Sequence, residues 1–159
     1  RAVETFEVIE SVDSIELAAR LDRVVREVRG HAPDAPVPAG SRLPVLLQVN
    51  VDDDPAKAGF QPHDLGAAVS SLAALDALRV EGLMTIGRLV DDPEAARPTF
   101  RRLRELSDEL RADASDLLGP ELSMGMTDDY PVAVEEGATI VRVGRALFGK
   151  RPDPPIAAR

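Results

Sequence analysis

The chain has 159 residues, 44% of them apolar, which suffices for one domain with a core of its own and separates it from disordered proteins. A net charge of −9 argues against a broad surface for nucleic acid or anionic membrane and leaves room only for a local basic pocket. No Cys and only two His, His31 and His63 in polar, loop-like contexts, exclude a disulfide framework, a thiolate zinc site and a cysteine nucleophile, and disfavour a histidine metal centre. No apolar run approaches the ~18 residues of a membrane span and no signal peptide pattern opens the sequence, so the expectation is a soluble, cytoplasmic protein.

The chain starts Arg1-Ala2-Val3 without Met and enters strand-like sequence at once, so it reads as a piece of a longer protein. Thr5 to Val12, TFEVIESV, has the β-branched and aromatic content of a strand. Asp13 or Ser14 then caps a helix with Ile15, Ala18, Leu21, Val25 and Val28 at helical spacing, and Gly30 stops it. Residues 31–41, HAPDAPVPAGS, form a Pro/Gly-rich connector expected to be mobile. Pro44 to Val51 and Leu78 to Ile86 are nearly continuous apolar runs, the pattern of strands buried on both faces. Helices are predicted over Asp64 to Leu75 and Pro93 to Ala114, the second with Phe100, Leu103, Leu106 and Leu110 on one face. A short strand, Leu122 to Met126, a short helix, Tyr130 to Gly137, and a last strand, Thr139 to Val143, complete residues 1–150. Residues 151–159, RPDPPIAAR, are too rich in Pro for a helix and are expected to be a disordered tail.

Strict strand–helix alternation with buried strands means a parallel sheet with helices outside, and ligands in such sheets bind at the C-terminal strand ends. Two neighbouring ends stand out. Ser123, Gly125, Met126 and Thr127 lie at one, and Arg142, Gly144 and Arg145 at the next. A hydroxyl, Gly-flanked amides and arginines together make a phosphate cup. The competing reading is that the glycines only turn the chain and that Arg142 pairs with a carboxylate.

Several segments recur together in one known family. They are Gln48 to Asn50, Lys57 to Phe60, Gly82 to Met84, Ser123 to Asp129 and Val141 to Gly149, with VIESVDS at 8–14 similar to the family's fourth strand. On these motifs the chain resembles the pyridoxal-phosphate homeostasis proteins, the YggS/PROSC family, whose fold is similar to the barrel domain of bacterial alanine racemase. The resemblance covers about residues 5 to 150, in order. It implies an α/β fold, a partial TIM-type β/α barrel of five parallel strands alternating with helices, with the first three of eight strands missing. It implies pyridoxal 5′-phosphate (PLP) as cofactor. Ser123 and the amides of Gly144 and Arg145 would meet its phosphate, Met126 and Thr127 would shape the rim, and Arg142 would face the pyridine ring and keep the ring nitrogen unprotonated. PLP-dependent apo-enzymes are the implied protein partners, and neither nucleic acid nor membrane is implied.

The chain departs from the family pattern twice. Arg145 stands where the family commonly has a small or hydroxylic residue, and the segment that carries the Schiff-base lysine is absent. Of the two lysines, Lys57 lies in the acidic loop DDDPAKAG, which would hold it charged, and Lys150 precedes the Pro-rich tail, so neither is expected to take that role. Three functions stay open: a PLP carrier without turnover of its own, which the solitary Tyr130 and the lack of a second domain favour; a racemase-like enzyme; and a remnant that binds nothing. Asp52 to Asp54 are expected to be a solvated loop, Asp128 a helix cap, and Asn50 either a ligand contact or an interior hydrogen bond. Two open sheet edges are expected to leave the chain marginally stable and prone to self-association.

Overall fold

The computed structural model describes residues 1–88 and 90–149. The predicted tail and Lys150 lie outside the described residues. Five strands form one parallel sheet in sequential order: β1 (Ile9–Val12), β2 (Leu43–Gln48), β3 (Leu78–Met84), β4 (Glu121–Met126) and β5 (Ile140–Arg142). The helices are α1 (Ala2–Thr5), α2 (Ile15–Arg29), α3 (Leu65–Leu72), α4 (Arg97–Ala114), α5 (Tyr130–Glu135) and α6 (Arg145–Phe148). No helix among the described residues is long and apolar enough to cross a membrane.

Local chemistry accounts for these elements. Ser14 is extended at the start of α2 and its Oγ accepts from the Leu17 amide at 3.3 Å, a cap that contributes about 1 kcal/mol. Gly30, in the left-handed region, ends the helix. α2 then presents Ala18, Leu21 and Val25 to the sheet, α3 presents Leu65, Ala68, Val69 and Leu72, and α4 presents Phe100, Leu103 and Leu106, all buried in one core with Leu43, Val45, Leu47 and Leu83. Consecutive residues Val45, Leu46 and Leu47 are all buried, as a parallel strand covered on both faces requires.

The sheet is curled. Three strand spacings separate β1 from β4, about 14 Å in a flat sheet. The Glu10 carboxylate of β1 nevertheless accepts a 2.6 Å hydrogen bond from Ser123 Oγ of β4. Only a trough brings those side chains together, and the trough is an arc of a β/α barrel.

Four expectations are corrected. Residues before Ile9 are not strand. Ile9, paired with Val45, is the first residue of β1, and residues 2–5 make one helical turn with Thr5 Oγ1 bonded to Arg1 O. The 31–41 connector is tied down rather than free. Arg26 donates to the Ala32 and Ala35 carbonyls at 3.3 and 2.8 Å, Asp76 accepts from the Val37 amide at 3.1 Å, and the Val37 side chain is buried. The last strand is only Ile140–Arg142, because the chain turns at Gly144 into α6, which the sequence pattern did not announce. Asp128 does not cap α5. Asp129 holds the N-cap position, and its own carboxylate turns back to the Met126 amide at 2.6 Å, while Asp128 pairs with Arg145.

Candidate functional site

A cavity of about 380 Å³ opens at the C-terminal ends of β3, β4 and β5, within the roughly 300–1,000 Å³ of small-molecule sites. Five of the six residues singled out from sequence line it: Met126, Thr127, Arg142, Gly144 and Arg145. Three arginines, Arg88, Arg142 and Arg145, face two carboxylates, Asp128 and Asp129, so the lining carries one excess positive charge in a chain of net charge −9. Such a local excess suits an anion.

Each element has a local reason to place its residue there. Gly125 in β4 has φ +88, and a Cβ on it would stand 2.5 Å from the Ala133 Cβ and 3.0 Å from the Tyr130 Cα. Only glycine lets β4 run that close beneath α5 before Met126 and Thr127 turn into the cavity. Gly144 is different, since a Cβ there would meet nothing within 4 Å, so close approach does not require glycine at that position. α6 starts immediately after it; the Leu147 and Phe148 amides donate to Gly144 O at 3.0 Å, and the Arg145 and Ala146 amides have no acceptor inside the helix. The Ala146 amide donates to Thr127 Oγ1 at 3.4 Å, which ties α6 to the β4 turn.

Ser123 is the sixth residue, and it sits below the cavity, fully buried in β4. Its hydroxyl donates to Glu10 and accepts from an Arg142 guanidinium nitrogen at 2.7 Å. A second Arg142 nitrogen donates to the Thr85 carbonyl at 2.8 Å, and Thr85 Oγ1 donates to the Val49 carbonyl at 2.8 Å. One hydrogen-bonded chain thus joins all five strands or their ends. Two of the five guanidinium N–H groups of Arg142 are committed to it. Burial pushes the Arg142 pKa below the usual arginine value, and the Glu10 and Asp129 carboxylates oppose that shift. The expectation of a direct phosphate contact from Ser123 meets a hydroxyl whose only proton is directed at Glu10. Glu10 itself was missed from sequence, because a lone Glu in a strand gives no sign of what lies across the trough.

The remaining candidates have partners. Arg145 forms an ion pair with Asp128 at the cavity rim. The side-chain amide of Asn50 donates to Asp54 O at 2.9 Å and Lys57 O at 3.3 Å, and Asn50 Oδ1 accepts from the Asp54 amide at 3.0 Å, so Asn50 clasps its own loop. Asp52 accepts from Thr99 Oγ1 at 2.6 Å. Lys57 Nζ donates to the Ile86 carbonyl at 3.0 Å and lies 3.7 Å from Asp54, so its donors are directed at its own loop and the end of β3.

Comparison with known proteins bears on the family and the fold. A family profile described as "Alanine racemase, N-terminal domain" matches residues 1–152. The pyridoxal phosphate homeostasis protein of Aquifex aeolicus is 49% identical over 107 residues, 67% of this chain and 46% of the relative. That of Pseudomonas aeruginosa is 41% identical over 149 residues, 93% of this chain and 57% of the relative. PipY of Synechococcus elongatus, solved with PLP bound, superposes with a TM-score of 0.77 at 40% identity, over 93% of this chain and 63% of PipY. The chain therefore spans about half to two-thirds of the length of these relatives. With profile, relatives and half-barrel in agreement, the chain belongs to the alanine racemase N-terminal domain family, within which it resembles the pyridoxal phosphate homeostasis proteins.

Proposed function

We propose that the chain binds pyridoxal 5′-phosphate in the cavity at the ends of β3, β4 and β5 and serves cytoplasmic homeostasis of that cofactor, holding and delivering it rather than turning over a substrate. The observation that carries this reading is the arginine-lined cavity of about 380 Å³, set between the Thr127 turn and the first amides of α6. It offers a phosphate what it needs, namely charge, a hydroxyl and helix-start N–H groups. PipY, of similar sequence and fold, was solved with PLP bound.

In this reading Arg145, Thr127 and the Gly144 and Arg145 amides hold the phosphate, and Met126 closes the rim. Arg142, anchored by Ser123 and Thr85, presents its remaining N–H groups to the ring. Bound PLP supplies an electrophilic aldehyde on an electron-withdrawing ring. An arginine beside that ring disfavours a second positive charge on its nitrogen, which suits storage better than catalysis. PLP-dependent apo-enzymes are the proposed recipients, and a second copy of the chain is the proposed occupant of the exposed sheet edges.

Spectroscopic titration of the purified chain with PLP tests the reading. Saturable binding is expected, and Arg145→Ala, at an exposed position, should weaken it by about 1.5–3 kcal/mol, tenfold or more. Borohydride reduction followed by peptide mass should leave Lys57 unmodified. Absence of saturable binding overturns the reading.

A further inference from the structure

Glu10 stands outside the cavity lining and yet holds the floor beneath it. Its carboxylate accepts the only proton of Ser123 at 2.6 Å, and Ser123 in turn accepts from Arg142 at 2.7 Å. Two hydrogen bonds in series place the carboxylate within about 5 Å of the guanidinium. Glu10 and Asp129 are the carboxylates that act on that guanidinium, and Asp129 is turned toward the Met126 amide. Of the arginines lining the cavity, Arg142 is therefore already partly neutralised from below.

We propose that Glu10 is a positioning residue that sets the anion affinity of this cavity, lowering it by holding the Ser123 hydroxyl and sharing the charge of Arg142. The inference rests on the proposed binding of a phosphorylated ligand there. It has a definite chemical content. A phosphate dianion held by Arg145 and the α6 amides lies in the field of an Arg142 that the Glu10 carboxylate offsets from below. The Ser123 proton cannot serve the ligand while Glu10 accepts it, since a hydroxyl has one proton to give. Replacing the carboxylate by an amide lifts the offset on Arg142 without emptying the space, since a Gln oxygen can still accept from Ser123. A carrier that must release its ligand gains from such an offset, whereas a fold that needs only a filled trough would be served equally well by an uncharged side chain.

The test compares the full chain with Glu10→Gln, which keeps shape and hydrogen-bonding capacity, and with Glu10→Ala. Three probes are titrated: PLP, inorganic phosphate, and pyridoxal, which lacks the phosphate. Both variants should bind PLP and phosphate about tenfold more tightly than the parent chain, and pyridoxal affinity should move far less, because it lacks the phosphate dianion that the carboxylate repels. If the parent chain binds PLP and Glu10→Gln binds it no more tightly, the inference falls while the proposed function stands. If neither chain binds PLP or phosphate, the proposed function falls and the inference with it. Unfolding of both variants, seen by circular dichroism, would assign Glu10 to the fold alone and overturn the inference as well.

Discussion

Gly125 shows how one residue connects backbone chemistry to the site. Its φ of +88 lies where a side chain is strained, and its Cβ position overlaps the Ala133 Cβ at 2.5 Å. Gly125→Ala should cost about 2–4 kcal/mol, from the left-handed backbone and from overpacking together. The check is urea denaturation, and an unchanged midpoint would refute the account. Since Gly125 sits directly before Met126, the same variant should displace the rim and weaken PLP binding. The small and polar residues around it marked, in the sequence, a strand end at which to look for a ligand site. The depth of Ser123 was not, because a Ser in a strand looks the same whether it points at a ligand or at a carboxylate across a trough.

At the scale of elements, two charge clusters hold neighbours together. The first locks the 31–41 connector. Arg26 pairs with Asp22 at 3.0 Å and with Asp76, while Asp22 accepts the Ala77 amide at 2.8 Å. Arg26→Ala strands two carboxylates of which one is largely buried, at a cost of roughly 3 kcal/mol. Limited proteolysis should then cut within residues 31–41, and a connector as resistant as in the parent chain would count against this role. The sequence announced a loop from its Pro and Gly content but not its anchoring, because Arg26 and Asp76 are fifty positions apart and meet only through α2 and the β2–β3 pairing.

The second cluster joins α4 to the end of α5. Glu136 follows α5 and receives Arg101, Arg97 and Arg104 within 3.0–3.3 Å. Hydrogen bonds from Arg101 and then Arg97 hold its carboxyl down at about 2, from the usual 4.5. The unfolded chain therefore takes up the Glu136 proton at higher pH than the folded chain. The stabilising contribution is complete above about 4.5 and disappears as the pH falls from 4.5 toward 2. Melting temperatures measured across that window should fall for the parent chain and fall less for Glu136→Gln. Equal slopes would show that the cluster carries no such linkage.

At the scale of the whole molecule, the trough leaves two edges. β1 bonds only to β2 and β5 only to β4 among the described residues. Apolar side chains gather near both edges: Phe6 and Val8 before β1, Val141 in β5, and Leu147 and Phe148 in α6, the last 87% exposed. Unprotected edges and exposed apolar groups favour association. Analytical ultracentrifugation should show a concentration-dependent rise in mass, reduced in Leu147→Lys and Phe148→Lys variants, and thermal unfolding should be broad. A sharp, concentration-independent monomeric transition at high temperature would contradict this.

The sequence by itself determined the alternation of strands and helices, the parallel character of the sheet and the strand ends at which to look. Those follow from periodicity, capping residues and continuous apolar runs, which are local properties. It also supplied the family, through motifs in fixed order. Tertiary structure alone decided that Glu10, Ser123, Arg142 and Thr85 form one hydrogen-bonded chain, that Asp128 serves Arg145 and Asp129 the Met126 amide, and that Asn50 clasps its own loop. The reason is curvature. A curled sheet brings together side chains from strands that are not neighbours, and the curl accumulates over every strand pair in the sheet, so no single segment encodes it.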